Sequence, residues 1–322
     1  MAHGLTMNGK MAEMAYAGET PWHGLGQKLE YGASMDAWRI AAGMDWEIES
    51  ADLLYRTGEE LNTFGGKKVL LRSDNGLGLS VVSDRYKVVQ PSEALDFFTD
   101  LVSDQGFQMH TAGTLFGGKK FWALAKMEEE RFVANNKDGI GGFVLLCTSC
   151  DGSLATTAKF TSIAVVCNNT LSYSLRDKQN QIRTTHGTTF DAGSVKQQLG
   201  LAREEYDSMM KMAEQLAAVK MTREDTTDFF KFLFTNSRMN TSKAVIEESK
   251  GFQTLMALAD GGAMGGDLST REGTAWGALN CVTEYVDHHA GQKAADKRMS
   301  DAWFGWGNSV KNAAASKLLE LV

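Results

Sequence analysis

Apolar residues along this chain recur with two different periods, and the change falls near residue 194. Before that point, short alternating runs separated by glycine predict strands. After it, apolar residues recur every three to four positions and predict helices. Residues 1 to about 30 show little periodicity and read as an extended arm or cap. Ser34 to Gly43 predicts a short helix capped by Ser34, with Met35, Trp38 and Ala42 on one face. Trp46 to Tyr55 alternates weakly, as a strand does. Val69–Arg72 and Leu77–Ser83 flank Asn75-Gly76, the strongest two-residue hairpin signal. After Pro91, apolar positions 94, 97, 98, 101 and 102 form a helical stripe. A second hairpin is predicted from Phe107–Leu115 and Lys119–Met127 around Gly117-Gly118. Gly142–Cys150 and Ala155–Val166 add two strands joined through Asp151-Gly152.

From Ser194 the helical runs are Val195–Val219, Arg223–Phe234, Ser242–Leu258, Thr270–His289 and Asp296–Leu321. Thr222 to Asp225 has the spacing of a capping box, with Asp in place of Glu or Gln. The predicted class is α+β: an antiparallel sheet with a flanking helix, then a helical C-terminal region. The predicted boundaries are 1–193 for the sheet domain and its N-terminal arm, and 194–322 for the helices.

Composition narrows the setting. The chain has 322 residues, 43% hydrophobic and 23% charged, enough to bury a large core unaided. No run of about 18 apolar residues occurs, so no membrane span is expected. The start lacks a signal-peptide pattern. Four cysteines, Cys147, Cys150, Cys167 and Cys281, suit a reducing interior, and a cytoplasmic location is expected. The net charge of −7 opposes a generally basic nucleic-acid binder. The charge is uneven, however: Lys137 to Phe190 is mildly basic and the last third is acidic.

Candidate chemistry is sparse. Cys147-x-x-Cys150 with Cys167, His186 and Asp151 offers ligands for a metal. It lacks a second C-x-x-C, and buried structural cysteines are the competing reading. His288 lies four residues from Glu284 on one helix face, which also suits a solvated helix end. Gly113 to Lys120 approaches a phosphate-loop pattern but lacks its spacing and its Ser or Thr, and a strand follows. It reads instead as a hairpin tip presenting Lys119 and Lys120, with Lys67 and Lys68 after Gly65-Gly66 as a second tip. Arg85 and Tyr86 could meet a phosphate and a base, or Arg85 could pair with Asp84. Trp22-His23 could staple the arm to the sheet. No catalytic triad, paired catalytic carboxylates or nucleophile elbow stands out.

Several separated motifs occur in register. They are Pro21-Trp22-His23-Gly24-Leu25-Gly26, Val81-Val82-Ser83-Asp84-Arg85-Tyr86 and Ala112 to Gly118, with Gly273 to Asn280 continuing to Thr283–His288. Together they resemble the phage/plasmid-like protein family, domain of unknown function 932. Two positions depart from its pattern: Cys150 stands where the family has His in Ser-His-Asp-Gly, and Ala164 where it has Arg. The strand-and-helix order is also similar to single-strand annealing proteins of the RecT, Red-beta and Rad type.

That resemblance implies single-stranded DNA binding and strand annealing in phage or plasmid recombination, inside a bacterial host. It implies a homo-oligomer, ring or filament, with no cofactor and no covalent chemistry. Lys67, Lys68, Arg85, Lys87, Lys119, Lys120, Lys159, Arg176 and Arg183 are the candidate phosphate contacts, and Tyr86 the candidate stacking residue. Two other readings stay open. One is a metal-dependent enzyme acting on nucleic acid or nucleotides. The other is a phage protein that modulates its host through the acidic helical surface.

Overall fold

The computed structural model describes residues 4–18, 20–21, 24–104, 106–135, 137–164, 169–171, 181–191, 193, 202–236, 246–290, 301, 303 and 305–322. The fold is α+β with antiparallel sheets and C-terminal helices, as the two periods predict. The chain does not divide by a single cut at 193. One compact unit comprises Met1–Glu128, Val144–Lys159 and Gln181–Gly200; the other comprises Glu129–Phe143, Phe160–Asn180 and Leu201–Val322.

The N-terminal stretch is not a loose arm. Strands β1 (Met7–Asn8) and β2 (Met11–Ala12) pair, and β3 (Met14–Ala17) is buried along its whole length. β3 pairs in parallel with β4 (Gln27–Leu29) and antiparallel with β8 (Phe107–Leu115). Helix α1 (Met35–Ala41) starts where Ser34 Oγ accepts the Ala37 N–H at 3.2 Å, and it buries Trp38 and Ala41.

Strands β5 (Ile48–Thr57), β6 (Glu60–Arg72) and β7 (Gly78–Ser83) form a separate antiparallel sheet in that order. The β6–β7 hairpin forms as expected, but its turn is longer than two residues. Arg72 N–H donates to Leu77 O at 3.0 Å and Gly76 N–H to Arg72 O at 2.9 Å. Gly65-Gly66 is not a hairpin tip. It lies inside β6, where the β5 partner jumps from Asp52 opposite Lys68 to Leu54 opposite Thr63. The true tip is Gly58-Glu59, between Thr57 and its partner Glu60. Gly58 takes φ +62°, which a two-residue turn of this kind favours.

The stripe after Pro91 becomes two short helices, α2 (Pro91–Asp96) and α3 (Thr99–Asp104), broken at Phe97-Phe98. Both phenylalanines are fully buried. Gln90 fixes the first start: its amide donates to Ile48 O at 3.1 Å and accepts Ile48 N–H at 2.8 Å.

The larger sheet runs β12–β11–β10–β9–β8–β3–β4, with β13 also on β11. Its remaining members are β9 (Lys120–Phe132), β10 (Gly139–Ser149), β11 (Thr156–Ala164), β12 (Asn169–Leu171) and β13 (Gln181–Thr184). Every residue of β10 is buried, so its sequence reads as a continuous apolar run rather than an alternation.

In the second unit the helices are α4 (Ala202–Ala218), α5 (Arg223–Asn236), α6 (Lys250–Ala257), α7 (Ala275–Glu284) and α8 (Trp306–Leu319). The capping box holds: Asp225 N–H donates to Thr222 Oγ1 at 3.1 Å, and Thr222 N–H to Asp225 Oδ2 at 2.8 Å. Every residue of α7 is buried. Gly277 permits this, because a Cβ there would lie 1.9 Å from Arg271 O. No helix among the described residues is long and apolar enough to cross a membrane.

Candidate nucleic-acid interface

Most of the described candidate cations belong to the first unit and hang on one hydrogen-bonded cluster. β7 ends in a tight turn closed by Tyr86 N–H to Ser83 O at 3.0 Å. Lys67 lies opposite Ser83 and Lys68 opposite Val82 across the β6–β7 ladder. Lys68 Nζ donates to Tyr86 O at 3.4 Å. The turn is then pinned to the β10–β11 connection. Tyr86 donates its hydroxyl to Ser149 O at 2.9 Å, and Ser80 Oγ donates to Cys150 O at 2.5 Å. Cys150 N–H in turn reaches Lys119 O at the β8–β9 tip, at 2.9 Å. Lys67, Arg85, Lys87 and Arg183 are exposed; Lys68, Lys119 and Lys120 are half-buried.

His186, which the sequence offers as a metal ligand, instead completes this cluster, a hundred positions after Tyr86. Its ring stacks on Tyr86 with centroids 4.5 Å apart and planes 16° apart. Its Nδ1 lies 3.2 Å from Lys87 O and its Nε2 3.0 Å from Leu154 O. Lys87 N–H donates to His186 O at 2.7 Å. β13, which carries Arg183 opposite Thr157, holds this segment in place.

These contacts change three of the expected roles. Tyr86 is a fastener: one ring face is covered by His186 and its hydroxyl is tied down. Burial, and then the nearby Cys150, push that hydroxyl above its ordinary range. Lys159 is not a surface contact. It is 3% exposed, because Thr156 to Ser162 of β11 are covered on both faces. Arg85 and Asp84 are both exposed, so neither plays a buried structural role. Arg176, Cys167 and Trp22-His23 lie outside the described residues.

The candidate metal ligands point at other partners. Cys150 Sγ faces Lys119 O at 3.4 Å, and both ring nitrogens of His186 face backbone carbonyls. Among the described residues no three His, Cys, Asp or Glu side chains cluster as a metal site. Burial alone would raise the Asp151 carboxyl, but hydrogen bonds from Ser153 and Ser149, with the charge of Lys120, hold it below the usual carboxylate range. In the second unit, Glu284 turns to His289 (3.9 Å) and to Met264 N–H (3.0 Å).

Burial pushes the Cys147 and Cys150 thiols up to about 12. Near pH 8 each should therefore alkylate roughly a thousandfold more slowly than an open thiol, since only thiolate reacts. Peptide mapping after iodoacetamide, with and without urea, checks this; equal labelling in both would refute the burial. The same burial makes stability depend on pH. Below the ordinary thiol value of 9.0 the contribution is fully present, and it is lost as pH rises toward 12.

The second unit holds a cavity of about 490 Å³ between α5, the glycine-rich 258–273 segment and α7. Met221, Met256, Met264 and Cys281 line it, and Arg223 pairs with Asp260 at 2.9 Å beside it. The α7 start facing it is already capped, with Gly277 N–H on Thr274 Oγ1 at 3.0 Å.

A family model described as a domain of unknown function, DUF932, matches residues 78–303. No curated protein and no solved structure matches the chain.

Proposed function

For this chain, which belongs to the DUF932 family, we propose single-stranded DNA binding and strand annealing, without covalent chemistry, in phage or plasmid recombination. One observation carries the reading. Arg85 and Lys87 lie on and just after the turn that follows β7, which Tyr86, Ser149 and His186 hold in place, and Lys67 and Lys68 lie on the part of β6 paired with the end of β7. Lys119 is tied to the same cluster through Cys150. Cations carried on a backbone that is already held in place neutralise phosphates at a reduced entropic cost, and leave base edges free to pair. Asp84 and Asp151 beside them temper the local field, which matches a binder that releases its strands.

Binding of labelled oligothymidine across a salt series tests the idea. Four to five phosphate contacts give a log–log slope of about −3, at about −0.7 per contact. Arg85→Gln with Lys87→Gln should flatten it by about 1.4 and weaken binding at least about tenfold at low salt. Acceleration of pairing between complementary labelled strands tests annealing separately. Absence of binding at low salt, or a slope that the double substitution leaves alone, would end the proposal.

A further inference from the structure

We propose that the open edge of β5 is where a second copy of this chain binds, antiparallel and centred on Leu54. This contact is independent of nucleic-acid binding, and the exposure of the β5–β6 ribbon points to it. From Glu49 to Thr57 no residue of β5 is buried, so both of its faces meet solvent. Leu54, Tyr55, Leu61 and Phe64 are 47–62% exposed on this ribbon. Tyr55 and Phe64 pack edge to face, 6.2 Å apart, which stiffens it without covering it. A two-stranded ribbon with apolar residues on both sides is marginal alone in water.

Beyond Ile48, whose N–H and C=O are taken by the Gln90 amide, the edge itself is open. β5 is the first strand of its sheet, with no strand beyond it among the described residues. Solitary edges are usually blunted by proline, a bulge or an inward charge. β5 has no proline, and the extra residues of the irregularity, Phe64 to Lys67, lie in β6. β5 therefore stays extended over ten residues.

The sequence of that edge is self-complementary in one register. When a strand pairs with its own copy about a twofold axis, facing residues share a face, so their numbers sum to an even constant. Centred on Leu54, that leucine faces its own copy, Leu53 faces Tyr55, and Asp52 faces Arg56, the last two pairs twice over. Centring on Asp52 sets two carboxylates against each other, and centring on Leu53 or Tyr55 leaves the charges facing neutral residues. Opposite charges and apolar pairs across strands are the arrangements that stabilise a sheet. The product is a six-stranded sheet and a closed dimer, since an isologous contact ends at two copies. A ring or filament would need a further surface.

Sedimentation velocity on charge-swapped full-length chains tests the register. The unmodified chain should dimerise. Asp52→Arg sets two guanidinium groups against each other in both facing pairs, and Arg56→Asp sets two carboxylates against each other. Each should weaken association about tenfold or more. The double swap should restore it. Mixing the two single variants should give a heterodimer, because both facing pairs are then opposite in sign. Leu54→Cys should cross-link to its own copy under mild oxidation, while Thr57→Cys, which faces Ala51, should not. Circular dichroism and melting confirm that each exposed-site variant folds. A chain monomeric at every attainable concentration overturns the proposal. So does a dimer indifferent to both single swaps, or a folded double swap that stays monomeric. None of these outcomes touches oligonucleotide binding, which is read by its own salt series.

Discussion

Replacing Asp138 with alanine is expected to lower the free energy of unfolding by about 3–5 kcal/mol. Asp138 is fully buried, and four donors converge on its carboxylate. Arg271 gives Nε at 3.0 Å to Oδ2 and Nη2 to Oδ1; Thr270 Oγ1 adds 3.0 Å and Trp276 Nε1 2.8 Å. Without the carboxylate, Arg271 would hold a guanidinium 1% exposed against neutral acceptors such as Met264 O, at 3.1 Å. An uncompensated buried charge costs far more than the pair contributes. The loss should therefore be asymmetric. Asp138→Leu combined with Arg271→Met removes both charges and should cost less than the sum of the single changes, by about 1–3 kcal/mol of coupling. Urea midpoints at constant slope measure this. A single-variant loss below about 1 kcal/mol, within the range of ordinary substitutions, or strict additivity of the pair, would contradict it.

This network also explains why the Gly273 to Asn280 motif is spelled as it is. Thr274 caps α7, Gly277 lets the Arg271 carbonyl pass over the first turn, and Trp276 reaches Asp138. The motif reads as a buried charge clamp. Its glycine and threonine were visible in the sequence, but its carboxylate partner lies more than a hundred positions away.

Legibility in the sequence followed burial. The β8–β9 hairpin announced itself by its Gly117-Gly118 turn between two apolar runs, although both strands are buried over most of their length. Helices with a cap, such as α1 behind Ser34 and α5 behind Thr222, announced themselves too. The β5–β6 ribbon was legible only in part: β5 gave a weak alternation over Trp46–Tyr55 and the outer half of β6 none, because both faces are exposed there. β3 was hidden for the opposite reason: four consecutive buried residues alternate with nothing. The cationic turn was half legible. Lys67, Lys68, Arg85 and Lys87 were named from charge and glycine. What holds them, His186 and the Ser149 and Cys150 carbonyls, involves backbone atoms and long-range contacts that leave no local pattern. Lys159 misled because a lone lysine in a strand gives no sign of whether its face is covered.

The anchoring of the cationic turn's parent sheet gives the second large effect. Arg72 ends β6, and its guanidinium is 3% exposed. It donates Nη1 to Glu13 Oε2 at 3.1 Å and Nη2 to Glu13 Oε1 at 2.9 Å, and it lies 4.2 Å over the Trp46 ring. Asp74 takes its Nε at 3.0 Å, and Thr114 donates its hydroxyl to Glu13. Glu13 immediately precedes β3, so this fork fastens the three-stranded sheet to the larger one within the first unit. Arg72→Met should cost about 3–5 kcal/mol, because it leaves the Glu13 carboxylate buried with Thr114 as its main donor. Adding Glu13→Gln removes that charge and should return about 1–2 kcal/mol, the price of a lost charged partner. The fork also fixes the strand from which Lys67 and Lys68 project. In the folded Arg72→Met chain, oligothymidine affinity should therefore fall severalfold with little change in salt slope, because the cations remain but their spacing loosens. Chemical unfolding and anisotropy on the same samples separate the two effects. Unchanged stability would remove the fork from its structural role, and unchanged affinity in a destabilised chain would uncouple it from the cationic turn.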